Sequence, residues 1–198
     1  MAGRPIECDR AEAARKATEC FWRRGYGRAS VDDLVRGTGL SRAGLYGDFG
    51  GKKGLFLKAC ELYSTAARER FIRPLDAARD PESGLRSLVD EVVKAQCKGK
   101  GPRGCLMAHA LSDEEAKAPD IRRAIAEHFR SLEEALARAL ARASGSRGSA
   151  QTAATAAAFL LNAILGLVQS ARLAPAPTRL RAIGRAAVDA ALGIARGG

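Results

Sequence analysis

Two groups of side chains in this chain have types and spacings that suit chemistry. The first lies between Ser30 and Lys52: hydroxyls at Ser30 and Ser41, a guanidinium at Arg42, a phenol at Tyr46 and an ammonium at Lys52, with small Ala43 and Gly44 between them. A guanidinium on a helix can bind guanine O6 and N7 together, which is worth about 1–3 kcal/mol of discrimination. Hydroxyls and amide dipoles at helix starts attract phosphate. The second group is Cys97, Cys105 and His109. Cys97 is flanked by Lys94, Lys98 and Lys100, and Cys105 follows Arg103-Gly104 at an expected helix start. Positive charge and a helix N-terminus both stabilise thiolate, the reactive form. That predicts a thiol responsive to oxidants or electrophiles at Cys105, with Cys97 as its resolving partner; the plain alternative is that Cys105 is a small buried apolar residue. Cys105 and His109 lie four apart, which also suits a metal site joined by His128. They suit equally the nucleophile and base of a thiol-dependent enzyme. The metal reading has only one local pair, and the enzymatic reading lacks an orienting third residue at recognisable spacing.

The first group needs two short helices and a turn to position it. Ser30 precedes the apolar Val31 and Leu34, and Asp33 stands three residues on, a capping-box arrangement that opens a helix. Gly37 and Gly39 stop it, and Ser41 caps a second helix from Arg42 to about Phe49. A short helix, a tight turn and a second helix make the helix-turn-helix geometry, whose second helix enters the DNA major groove. Leu45 and Phe49 should face inward, leaving Arg42, Ala43, Gly44, Tyr46 and Gly47 towards the groove. Gly44 and Gly47 each weaken the helix by about 1 kcal/mol relative to alanine. Asp48 would repel phosphate unless it faces a cation such as Arg42 or Lys52. Arg4 reads either as part of a basic arm entering the minor groove or as a disordered tail.

The remaining pattern is helical. Asp9 opens a helix over about 10–24, with Ala13, Ala17, Cys20 and Phe21 on one face. A longer helix runs from Lys52 to about Phe71, its stripe of Leu55, Phe56, Ala59, Cys60 and Tyr63 packing on the first helix, and Pro74 ends or bends it. Leu85, Leu88, Val89 and Val92 recur at helical spacing after Asp80-Pro81. The segment 98–104 is a loop, and a short helix follows over about 105–111. Pro119 opens a long helix striped by Ile121, Ile125, Phe129, Leu132, Leu136 and Leu140. Two last helices span about 150–173 and 178–195. The expectation is an all-α chain of about nine helices.

At 198 residues the chain can bury a sizeable core. Its net charge of +11 favours a polyanionic partner. Residues 1–63 carry only +4 of that excess, so charge supports nucleic-acid binding without locating it. Met1 to Asp9 lacks the apolar core of a signal peptide. The apolar run from Ala153 to Val168 is interrupted by Thr155 and Asn162 and falls short of the about 20 apolar residues of a membrane span, so a buried helix is expected. Five cysteines without tight metal-type pairs point to a reducing cytoplasm. No cofactor and no membrane partner are expected.

The N-terminal residues also carry a family resemblance. Gly3-Arg4-Pro5 through Asp9, Phe21-Trp22, Gly25-Tyr26, Ser30, Asp33-Leu34, Gly39, Leu45-Tyr46, Phe49-Gly50, Lys52 and Leu55-Phe56, in that order, resemble the DNA-binding domain of the tetracycline-repressor (TetR) family. The likeness is dense over residues 3–63. Beyond it, phrases such as Arg103-Gly104-Cys105-Leu106 and Phe159-Leu160-Leu161 are similar to one branch of the family but are less specific. The resemblance implies a helix-turn-helix domain over 1–63, with its fourth helix connecting to about 73. A helical ligand-binding and dimerisation domain would fill 74–198. It implies a homodimer on a palindromic double-stranded operator, usually repressing and released by a small molecule. It also gives Tyr46 a backbone phosphate to contact, and makes the last two helices half of an intersubunit four-helix bundle. Small Ala157, Ala163 and Gly166 permit close approach there, with Leu161, Leu165 and Val168, and Ile183 and Ala187 on the last helix, supplying area. Asn162 and Gln169 either orient a ligand or satisfy each other across the dimer. Besides a homodimeric transcriptional regulator, a thiol-dependent enzyme and a non-specific DNA-coating protein remain open.

Overall fold

The computed structural model describes residues 9–98, 104–173 and 175–197. Among them every regular element is helical. The helices are α1 (Arg10–Arg24), α2 (Val31–Thr38), α3 (Arg42–Phe49), α4 (Lys52–Ala67, continued to Ala77), α5 (Pro81–Cys97), α6 (Leu106–Leu111), α7 (Pro119–Ser144), α8 (Ala150–Ser170) and α9 (Pro177–Ala195). Short 3₁₀ turns at Glu114–Ala116, Gly145–Arg147 and Ala171–Leu173 complete them.

Capping chemistry sets the helix starts. Asp9 accepts from the Ala11 amide at 2.9 Å. Ser30 and Asp33 form the reciprocal capping box of α2. Asp80 accepts from the Ser83 amide, and Pro81 takes the first position of α5, where its missing N–H leaves nothing unsatisfied. Ser149 and Thr152 form a second capping box at α8.

Of the two outcomes expected at Pro74, an end is ruled out: the fourth helix does not stop there. Residues 68–72 widen to a π turn, with the Arg73 amide donating to the Arg68 carbonyl five residues back. The helix then continues over Arg73–Ala77. A proline forfeits one helical hydrogen bond and crowds the preceding turn, and a local change of register absorbs both.

The chain divides into two compact units. One combines residues 9–65 with His109–Ile125, so the stretch around the 3₁₀ turn at Glu114–Ala116 folds with the helix-turn-helix rather than with its sequence neighbours. Its core is aromatic: the Phe21 and Phe56 rings meet edge-on at 4.9 Å, Tyr26 lies 4.7 Å from Phe56, and Trp22 meets Tyr63 at 5.1 Å. Leu34, Leu45, Leu55 and Ile121 are buried in the same unit.

The other unit holds residues 66–108 and 126–197 of the described chain. Here α9 packs on α5 and α8 at close range because Gly184 has no side chain: a β-carbon there would lie 2.2 Å from Val89 Cγ1. The ion pairs Arg86–Asp189 (2.6 Å) and Arg185–Asp90 (3.1 Å) flank that contact. Arg138 pairs with Asp76 at 3.0 Å. The segment Ala150–Leu173 is long and apolar enough to cross a membrane by length and composition. Its residues Ala153, Ala156, Ala157, Leu160, Leu161, Leu167 and Val168 are buried against the chain itself.

Candidate nucleic-acid interface

Helix α3 is built to be held from behind and bare in front. Ser41 Oγ accepts from the Gly44 amide at 2.9 Å, and Leu45 is fully buried. Arg42, Ala43, Gly47 and Tyr46 (58% exposed) face outward. Phe49 is half-buried, in keeping with the inward face expected of it. The helix ends in a left-handed glycine cap: the Gly50 amide reaches the Tyr46 carbonyl (3.0 Å), the αL-motif bond, and the Gly51 amide reaches the Leu45 carbonyl (3.1 Å). Gly50 (φ 73°) and Gly51 (φ 90°) both take the left-handed conformation this needs. A β-carbon on Gly51 would also sit 3.0 Å from the Tyr46 ring, so the bare glycine backbone lets that phenol lie close.

The carboxylates around this face are each matched to a cation. Arg42 Nη2 donates to Asp32 Oδ1 at 2.5 Å, joining the first residue of α3 to the second of α2. Asp33 accepts from the Ser30 hydroxyl (2.8 Å) and pairs with Arg36 (2.7 Å) and Arg24 (3.5 Å). Those bonds, the Ser30 hydroxyl first, hold its carboxyl below the usual range. Asp48 does face a cation, but it is Arg10 of α1 at 2.5 Å, neither Arg42 nor Lys52 as the sequence suggested. Arg42 is taken by Asp32, and Lys52 points elsewhere.

Lys52 Nζ donates to the Gly27 carbonyl (3.0 Å), stands 3.5 Å from Glu115 Oε2 and lies 4.6 Å over the Tyr26 ring. Its side chain is only 21% exposed. The ammonium expected at a helix start for phosphate is thus directed into the turn before α2. Asp113 completes that joint, its Oδ2 accepting from the Gly27 amide at 2.7 Å. A β-carbon on Gly27 would lie 2.9 Å from Asp113 Oδ1. Lys53 pairs with Asp120 at 2.9 Å, which raises the lysine's pKa and lowers the aspartate's.

The other predicted site residues fall in different surroundings. Cys97 is exposed, Cys105 is buried and His109 is half-buried. The Gly104 amide donates to Gln96 Oε1 at 3.1 Å, so the residues adjoining the two cysteines are bonded across the loop. Arg4, Lys100 and Arg103 lie outside the described residues. Among the described residues no cluster of three or more His, Cys, Asp or Glu side chains could hold a metal. Asn162 is exposed and donates to the Ala158 carbonyl of its own helix at 2.8 Å; Gln169 is also exposed. Of the six proposed interface residues, Ala157, Leu161 and Val168 are buried within the chain itself, Leu165 and Ala187 are half-buried, and Ile183 is 47% exposed. The outward face of α8 instead presents Thr155, Phe159 (42% exposed), Asn162 and Gly166.

Sequence reasoning missed Asp32, Asp113 and Gly54. Asp32 reads as a first-turn helix acid, and Asp113 as a loop residue 86 positions from its partner, with no local signal. Gly54 sits in the first turn of α4, where a glycine weakens a helix. That breach of local preference was the available clue.

Comparison with known proteins gives a consistent picture. Residues 14–59 match the sequence profile of the bacterial regulatory proteins of the tetR family, and residues 81–187 match the tetracyclin repressor-like C-terminal domain. The uncharacterised HTH-type transcriptional regulator YezE of Bacillus subtilis is 28% identical over 141 residues, 71% of this chain and 73% of that protein. A cysteine-substituted form of the TetR family transcriptional regulator CifR, solved in complex with 26-bp double-strand operator DNA, superposes with a TM-score of 0.81 at 27% identity. It covers 95% of this chain and 99% of its own. SCO4454 from Streptomyces coelicolor shares the fold at a TM-score of 0.81 and 20% identity, over 94% of this chain and 95% of that one.

Proposed function

This chain belongs to the tetR family and is a DNA-binding transcriptional regulator, and from that premise we propose that it acts as a cytoplasmic homodimer repressing from a palindromic operator. Its work is binding rather than catalysis. The observation that carries the reading is the outward face of α3, where Arg42, Ala43 and Tyr46 are exposed over a buried Leu45. Ser30 and Ser41 at the helix starts, and close approach at Gly44, supply the positioning contacts. CifR bound to its operator is a relative at 27% identity, which supports carrying DNA binding of this kind to the present chain.

Dimerisation is proposed through the exposed faces of α8 and α9, around Phe159, Asn162, Gly166 and Ile183. A two-fold dimer on two half-sites about 34–36 Å apart is the geometry that such a fold uses. Operator selection from random duplex DNA tests both points. A palindrome bound far tighter than scrambled duplex is the expected result. A steep salt dependence with no enriched sequence would leave a non-specific coating protein instead.

Release is proposed to follow an effector in the second unit, either a small molecule or an α,β-unsaturated carbonyl compound: the thiolate of Cys97 or Cys105 adds to its β-carbon, the C=C π bond breaks, and the α-carbon takes a proton from solvent. The Gln96–Gly104 bond, which ties the cysteine-bearing ends of the loop together, favours the thiol route. Cys105 adjoins fully buried Leu106 and Met107, so an adduct on it must displace packed core. Operator affinity unchanged after complete alkylation of both thiols would remove that route and leave the small molecule.

A further inference from the structure

The structure also points to a residue that sets base specificity. We propose that Asp32 is a positioning residue for recognition, holding the Arg42 guanidinium in the orientation that reads a guanine. This rests on the operator reading above.

The pair is made by two side chains that are each 63% exposed, so it stabilises the fold little. What it does is geometric. Asp32 comes from α2 and Arg42 from α3, and their bond fixes a long side chain on the face that also carries Tyr46. Arginine loses much rotamer freedom when it binds, and a partner that orders it beforehand removes part of that loss from the binding step. Asp32 engages Nη2 alone. The guanidinium carries five N–H donors and one contact to Asp32 leaves most of them for guanine O6 and N7.

The carboxylate has a second effect. On a face meant for a polyanion it reduces attraction to every duplex alike. A sequence that offers Arg42 a guanine recovers the loss, and a sequence that does not is rejected. The neighbouring carboxylates have other work. Asp33 closes the α2 capping box and pairs with Arg24 and Arg36, and Asp48 is held by Arg10. Asp32 alone among them bonds to a residue at the start of the recognition helix.

The test repeats operator selection from a random duplex library with the full-length wild type and with Asp32→Ala, Asp32→Asn, Asp32→Glu and Arg42→Ala. Affinities are then measured on the selected site, on single-base variants of it and on scrambled duplex. Wild type should show one guanine per half-site, preferred about 5–150-fold over other bases, and Arg42→Ala should abolish that preference. Asp32→Ala and Asp32→Asn should blunt the same position by about fivefold or more while scrambled duplex binds as well or better, and Asp32→Glu should restore the preference. An Asp32→Ala profile as sharp as wild type at that position overturns the proposal. So does equal weakening on all duplexes, which marks a merely structural role. A switch to a different preferred base in Asp32→Asn also overturns it, by making Asp32 a direct reader. No enriched sequence for wild type overturns the operator reading itself, and this inference with it.

Discussion

Gly54 in the first turn of α4 stands directly against the backbone of Phe49, the last residue of α3: a β-carbon on Gly54 would lie 1.6 Å from the Phe49 carbonyl oxygen. Nothing flexible stands in the way there, only main chain. The angle at which the recognition helix leaves the core therefore depends on one missing methyl group.

Replacing Gly54 with alanine should destabilise the protein by about 2–3 kcal/mol or more, since overpacking against backbone outweighs the gain in helix propensity. Gly47→Ala is the natural control, because a β-carbon there meets nothing within 4 Å. That substitution should stabilise by up to about 1 kcal/mol. Thermal unfolding of the two variants beside wild type measures both; equal effects would mean that α3 does not lean on α4 in this way.

Asp113→Ala removes the acceptor of the Gly27 amide. A part-buried N–H left without its charged partner should cost about 1–3 kcal/mol. Lys52 still holds the Gly27 carbonyl at 3.0 Å, so the turn should loosen rather than unfold. Hydrogen exchange at Gly27, fast in the variant and slow in wild type, is the direct readout.

Stability should fall between neutral and mildly acidic pH because of His128. Its ring is 5% exposed, and burial pushes its pKa down to about 4. The unfolded chain, with a histidine pKa of about 6.5, binds the proton first, so stability is complete above about 6.5 and declines as pH drops towards about 4. The full decline amounts to about 3 kcal/mol. Chemical denaturation at pH 7.5 and 4.5 should show most of it in wild type and little in His128→Leu, once the carboxylate contribution common to both is subtracted.

Phe159→Glu combined with Ile183→Glu should convert the proposed dimer to a monomer, because each would place a charge on an exposed apolar position of α8 or α9. Neither residue is in the subunit core, so helix content should be unchanged. Sedimentation velocity separates the outcomes; a dimer that survives both changes must use another face.

Much of this protein was legible without coordinates, for a local reason. Caps, glycine stops and apolar spacing act within a few residues, so Ser30 with Asp33, Ser41 with Gly44 and Pro81 behind Asp80 declare their helices in one dimension. The order of motifs around them was enough to identify the family. Tertiary structure decided the rest. That Arg10 holds Asp48, that Asp32 holds Arg42, that Lys52 turns to Gly27 and that Asp113 reaches back to the same turn are pairings between elements. Several carboxylates and cations of similar reach compete for each partner, and only the packing of helices brings one pair within hydrogen-bond distance. The same holds for α8, whose composition calls for burial on several sides. Whether Leu161 or Phe159 faces outward is set by where α5 and α9 lie against it, and periodicity cannot report that on a helix apolar nearly all round.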